Sequence, residues 1–225
     1  PSTGKKIKYR PFLVKEEKIL ILALESEDQK QITEAVKSTL KSCISTRGIK
    51  IDELPTFDIE YIFLNIRGKS VGESVDLIVT CPDDETTTVP VKIYIDEIQV
   101  EQNEKHTRDI DLDGIYTLRM KYPSLNQFVE TNFAIAGDEK VTVEDSFKVI
   151  ASCIDMVFSA EESWSASDST EKELNDWLGT LDSRQFKQIE DFFETMPKLS
   201  HTIKVTNPNT KIESDVKLEG ITSFF

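Results

Sequence analysis

The chain is poor in the residues that enzymes and metal sites usually draw on. Its 225 residues include only two histidines, His106 and His201, and three cysteines, Cys43, Cys81 and Cys153. The cysteines are odd in number, far apart and never arranged as Cys-x-x-Cys, which excludes a disulfide framework and a complete zinc ribbon. There is no His-Glu-x-x-His pair, no Gly-x-x-x-x-Gly-Lys-Ser/Thr loop and no Gly-x-Gly-x-x-Gly. A zincin helix, a P-loop and a dinucleotide-binding turn are therefore excluded. Gly72-Glu-Ser-Val-Asp76 fails the Gly-x-Ser-x-Gly elbow of serine hydrolases. Long apolar runs are missing too: Ile19 to Leu24 is six residues, against the ~18 that a membrane span requires.

Positive charge is scarce, with 27 Lys+Arg against 41 Asp+Glu and a net charge of −14. That balance argues against a general binder of nucleic acid or anionic membrane, whose bulk attraction to phosphate needs the opposite sign. Hydrophobic residues at 38%, among them 12 Phe, exclude a disordered acidic tail. The charge is uneven, however. In the first 18 residues Lys5, Lys6, Lys8, Arg10, Lys15 and Lys18 face Glu16 and Glu17, six against two, so the segment is +4 and the remainder −18. A basic stretch of this kind is either an arm that docks on an acidic neighbour or a solvated basic terminus. Pro1-Ser-Thr-Gly4, with no apolar signal region behind it, suggests a cytosolic product trimmed before a small first residue.

Periodicity supplies the elements. Val14–Leu24 is either a helix or a buried strand, because an apolar run alone does not decide between them. Ser26 and Gln29 have capping-box spacing ahead of a helix carrying Ile32, Ala35, Val36, Leu40 and Cys43 to Gly48. Thr56, after Pro55, starts a second helix with apolar residues around most of its circumference, ended by Gly68 and Gly72. From Val75 the period becomes that of strands: 75–81 and 89–95 form a hairpin across 82–88, and 115–121 alternates as another strand. Thr142 caps a helix whose apolar stripe runs from Val143 to Phe158, followed by a Ser-rich break around Trp164. Thr170 with Glu173, and Asp182 with Gln185, open two more helices. Ile203 and Val205 then face Ile212, Val216 and Leu218 across Asn207-Pro-Asn-Thr210. The expected architecture is α+β: a mainly helical body with an inserted antiparallel β region and a C-terminal β-hairpin. Residues 1–70 supply the basic arm and helices, 71–138 the β-rich insertion, and 139–225 helices and the terminal hairpin, packing with 1–70.

The metal motifs are incomplete. Asp109-Ile-Asp-Leu-Asp-Gly114 reproduces the first half of an EF-hand loop, but Met120 stands where the bidentate Glu belongs, so an acidic turn entering a strand is the expectation. Cys81-Pro-Asp-Asp84 is a zinc half-site with Asp84 in the second cysteine position. Among 41 carboxylates no acid/base pair can be nominated. No catalytic residue, cofactor or metal is expected.

Lys8-Tyr-Arg-Pro-Phe12 with the run to Ser26, Cys43, and Leu54-Pro-Thr-Phe57 with the run through Arg67-Gly-Lys-Ser-Val-Gly-Glu73 resemble the baseplate hub subunit family of T4-type bacteriophages. The resemblance is strongest over the N-terminal third and extends to the rest in plan. Some relatives carry paired cysteines in their hairpins; here Cys81 has Asp84 in the second position and Asn207-Pro-Asn-Thr210 has no cysteine, so zinc is not carried over. What the resemblance implies is a non-enzymatic component of a contractile-tail baseplate hub, acting through protein contacts. A hub assembly chaperone absent from the mature virion is the alternative; a metal-binding module or enzyme is the remaining one. Its partners would be other hub or tail proteins, with oligomerisation within the hub, in the host cytoplasm during assembly and in the virion baseplate if retained. Neither nucleic acid nor a membrane span is implied. Lys8, Arg10, Phe12, Arg67, Lys69, Phe224 and Phe225 are the candidate partner contacts.

Overall fold

The computed structural model describes residues 1–26, 28–124, 127, 143–220 and 223. The fold divides into two compact units, one formed by Pro1–Glu101 with Pro197–Phe225 and the other by Gln102–Met196. The segment expected as a β insertion contributes strands to both.

The first unit begins with helices α1 (Val14–Glu25), α2 (Gln29–Cys43) and α3 (Thr56–Val71). The cap of α2 is Asp28 rather than Ser26: its carboxylate accepts the N–H groups of Lys30 and Gln31, satisfying donors that a helix N-terminus leaves open. Helix α3 runs through Gly68 and stops at Gly72, whose φ of 139° a side chain would resist. Gly68 instead allows close packing, since a Cβ there would lie 3.1 Å from Ile95 Cδ1. Strands β1 (Ser74–Thr80) and β2 (Thr88–Tyr94) form the expected hairpin with Leu77 opposite Val91. A three-stranded sheet places β8 (Lys198–Thr206) between β3 (Gln99–Glu101) and β9 (Glu213–Glu219), all antiparallel. The C-terminal hairpin is thus present as two strands of a larger sheet. Leu64 of α3, Ile93 and Ile98 pack with Leu199 and Val205 in the core of this unit.

The tips of the two hairpins are tied together. Asn207, fully buried, donates through its Nδ2 to both carboxylate oxygens of Asp83, each at 3.1 Å, and to Asp84 Oδ2 at 2.9 Å. Its Oδ1 accepts the N–H of Asn209 at 2.8 Å and of Thr210 at 3.3 Å, and the Thr210 hydroxyl donates to Asp83. The Cys81–Asp84 turn is held by a carboxylate: Asp84 Oδ1 accepts the N–H groups of Thr86 and Thr87. These donors hold the Asp84 carboxyl well below the usual range, the Thr87 hydroxyl and amide contributing most.

The second unit is built on a four-stranded antiparallel sheet, β4 (Asp109–Asp111), β5 (Thr117–Met120), β6 (Ile154–Phe158) and β7 (Ser163–Ser165) in that order. Helices α4 (Val143–Ser152), α5 (Glu171–Leu178) and α6 (Ser183–Thr195) accompany it. The expected long helix through Phe158 is corrected here, since α4 ends at Ser152 and the remaining apolar residues form β6. The cause is non-local: Leu118 and Met120 of β5 require a partner strand, and Val157 and Ile154 supply it, overriding local helical spacing. The Ser-rich break likewise contains β7. Both capping boxes are as expected, Thr170 with Glu173 and Asp182 with Gln185. Thr142, Phe224 and Phe225 lie outside the described residues.

The described structure has six helices and is 41% helical with 26% strand in three antiparallel sheets. The class is mixed α+β, with more sheet than a mainly helical body would carry.

Candidate docking surface

The N-terminal arm is fixed by its backbone. Tyr9 bridges Ile44 in antiparallel fashion, Arg10 N–H donates to the Cys43 carbonyl at 2.9 Å, and Ser45 N–H donates to the Lys8 carbonyl at 2.8 Å. Lys8 N–H donates to Thr46 Oγ1 at 2.7 Å and Phe12 N–H to Ser70 Oγ at 2.9 Å. The arm therefore joins the end of α2 to the end of α3, which brings Lys8, Arg10, Phe12, Arg67 and Lys69 into one region.

Their side chains differ in what they offer. Lys8 and Lys69 are exposed, Arg10 and Arg67 are half-buried, and Phe12 is only 9% exposed, packed into its own unit. Lys69 pairs with Glu73 at 2.7 Å. Arg10 donates to Glu16 Oε1 at 3.0 Å, and Glu16 Oε2 accepts Leu13 N–H at 2.6 Å. Glu16 is buried, yet the Arg10 guanidinium beside it holds its carboxyl below the ordinary value. This pair anchors the first turn of α1. Burial lowers the Arg67 guanidinium and raises the Cys43 thiol.

Beside the arm, α1 has an unusual distribution of apolar residues. At ~100° per residue, Glu16, Leu20 and Ala23 fall on one side, and these are the buried ones. The opposite side carries Val14, 80% exposed, Leu22, 53% exposed, and Ile21, interspersed with Lys18; Leu13 and Ile19 are exposed on the flanks. A helix buried on one stripe alone should be polar elsewhere. Here much of the circumference is apolar, with Lys15, Lys18, Glu17 and Glu25 set among it and the basic arm beside it. Such a surface can hold a protein partner by desolvation at its centre and by charge at its rim. This face was not legible in the sequence, because the consecutive apolar run of α1 fits a buried strand as well as a helix. A visible signal was the run's lack of a polar face.

The other chemistry-bearing groups are engaged within their own unit. Asp109 pairs with Arg119 through two contacts of 2.7 and 2.8 Å across β4 and β5. Asp111 accepts Gly114 N–H at 2.6 Å, and Asp113 accepts the N–H of Ile115 and Tyr116 at 2.9 and 2.8 Å. The EF-hand-like run is thus a hairpin turn whose carboxylates hold backbone. His106 uses one ring nitrogen with Thr195 Oγ1 and the other with Tyr122 Oη, both at 3.0 Å, and burial lowers its pKa. No group of three or more His, Cys, Asp or Glu gathers as a metal site among the described residues. No described helix is long and apolar enough to cross a membrane.

A mixed α+β chain with a basic arm and an uncovered apolar helix has the features of a protein that works by docking. The family model described as T4 bacteriophage base plate protein matches residues 1–225, the whole chain, and the chain belongs to that family. Neither a curated protein nor a solved structure matches it. The family makes this a phage baseplate protein, consistent with a structural role.

Proposed function

We propose that the chain is a non-enzymatic component of the baseplate hub of a contractile-tail phage and takes part in tail assembly by binding other hub or tail proteins. The observation that carries this reading is the exposed apolar face of α1 beside the basic arm. Covering a Val, Leu or Ile fully is worth about 1.5–3 kcal/mol each, so completing the burial of Val14, Ile21 and Leu22 contributes about 3–5 kcal/mol. The contact set is this face together with Lys8, Arg10, Arg67 and Lys69. Phe12 supports it from beneath, and Phe224 and Phe225 belong to the proposed set from the sequence alone. Cations around an apolar centre select a partner with an acidic rim.

Assembly takes place in the host cytoplasm, and the chain is retained in the virion baseplate. Mass spectrometry of baseplate intermediates from infected cells and of purified virions tests this. The chain is expected in both. Its presence in intermediates and absence from virions would replace a resident subunit with an assembly chaperone, and absence from both would refute the proposal.

A further inference from the structure

The second unit contains an open groove of about 550 Å³ lined by Leu112, Tyr116, Val157, Trp164, Leu174 and Trp177. Trp164 on edge strand β7 is 49% exposed, and its ring lies 5.8 Å from that of Tyr116. The carboxylates at the groove already have partners. Asp113 holds two backbone N–H groups, and Glu173 holds the Thr170 backbone N–H at 2.7 Å. Gln185, also on the wall, donates to the Leu112 carbonyl at 3.1 Å. The groove therefore offers aromatic and aliphatic surface without a converging set of free polar groups, which suits apolar side chains better than a polar small molecule.

Charge narrows the occupant. Residues 102–196 carry nine Lys and Arg against twenty Asp and Glu, a net −11, while the rest of the chain is −3. The segment 161–176, which supplies Trp164, Glu173 and Leu174 to the groove, holds six acidic residues against Lys172 alone. A fitting occupant is apolar, helical or extended, and basic. The chain itself presents such a segment at its N-terminus: residues 1–18 are net +4 and, with the rest of α1, expose Leu13, Val14 and Leu22 beside Lys15 and Lys18, while Glu17 is half-buried and Glu25 closes the helix.

Resting on the docking role given to α1, we infer that the partner for this face includes a second copy of the chain, α1 of one molecule seating in the Tyr116–Trp164–Trp177 groove of the next. The geometry is that of a helix in a groove. Because the two surfaces differ, the contact is head-to-tail and closes into a ring or continues as an open series.

The test is sedimentation velocity of the full chain at rising protein concentration. Wild type is expected to form larger species. Trp164→Ala, and separately Lys15→Glu with Lys18→Glu, should each weaken association about tenfold or more. Glu162→Lys with Asp168→Lys should do the same, and mixing this groove variant with the Lys→Glu variant should restore a heterodimer that neither forms alone. Circular dichroism and a melting curve for each variant separate lost pairing from lost folding, and if Trp164→Ala misfolds, the charge-swap rescue decides. A monomer at every concentration, association unchanged by the variants, or absence of rescue between folded variants would each overturn the inference. If the chain is monomeric while α1 variants still fail to enter baseplates, the inference falls and the docking role stands. If it self-associates as described while α1 variants enter baseplates normally, the docking role in the hub falls instead.

Discussion

Replacing Asn207 probes the tie between the two hairpin tips. The side chain is fully buried: its two Nδ2 protons are shared among three carboxylate oxygens of Asp83 and Asp84, and its Oδ1 accepts two N–H groups of its own turn. A hydrogen bond to a charged group is worth ~1.5–3 kcal/mol and a neutral one ~0.5–1.5 kcal/mol. Asp83 is exposed and rehydrates once its donor is removed, so its share is discounted. Asn207→Ala should then cost about 3 kcal/mol, a melting-temperature loss of roughly 10 °C for a unit of this size. Asn207→Asp retains the acceptor for the turn but sets a third carboxylate against Asp83 and Asp84. It should be at least as destabilising at neutral pH and recover relative to Asn207→Ala as the carboxylates are protonated. Calorimetric melts of the three proteins at neutral and acid pH make the comparison. Asn207→Asp as stable as wild type at neutral pH, or a loss below about 0.5 kcal/mol for Asn207→Ala, would refute this account of the tie.

Other expectations concern packing and pH. Gly68→Val pushes two methyl groups into Ile95, which a Cβ alone would approach to 3.1 Å; a loss of about 1–3 kcal/mol in chemical denaturation is expected. Asp84, Asp109 and Glu16 have folded pKa values below their ordinary ones. Their stabilisation is complete above the unfolded values of ~4 and is lost as pH falls through the folded ones, so the melting temperature should drop on acidification below about pH 4. His106 also has a lowered folded pKa, so below its unfolded value of ~6.5 the unfolded chain binds the proton more readily and stability declines. His106→Gln should flatten that decline between about pH 6.5 and 5 relative to wild type.

Much of the fold was legible because its signals are local. The β1–β2 hairpin follows from two β-branched runs and a polar turn, and both capping boxes follow from residues three apart. Helix α3 was recognisable by apolar residues on nearly every side, matching its depth in the first unit. What was not legible depends on residues distant in sequence. Cys153 to Phe158 looks like the last turns of α4 until Leu118 and Met120 are known to need a strand beside them. Asp83 and Asn207 are 124 residues apart, and read separately they were an incomplete metal half-site and an ordinary turn. The basic arm was visible as charge, and its resemblance to the baseplate family was carried by the same residues. The apolar face of α1 was hidden, because exposure depends on what the remainder of the chain leaves uncovered.

The most direct measurement of the docking claim is incorporation of a Val14→Gln, Leu22→Gln variant into baseplates in infected cells. Both positions are exposed and glutamine is a good helix former, so the isolated protein should keep its stability within about 0.5 kcal/mol of wild type. The account predicts that this stable variant is excluded from purified baseplate intermediates, with tail assembly failing at that step. Wild-type incorporation and normal tails from the same variant would contradict it.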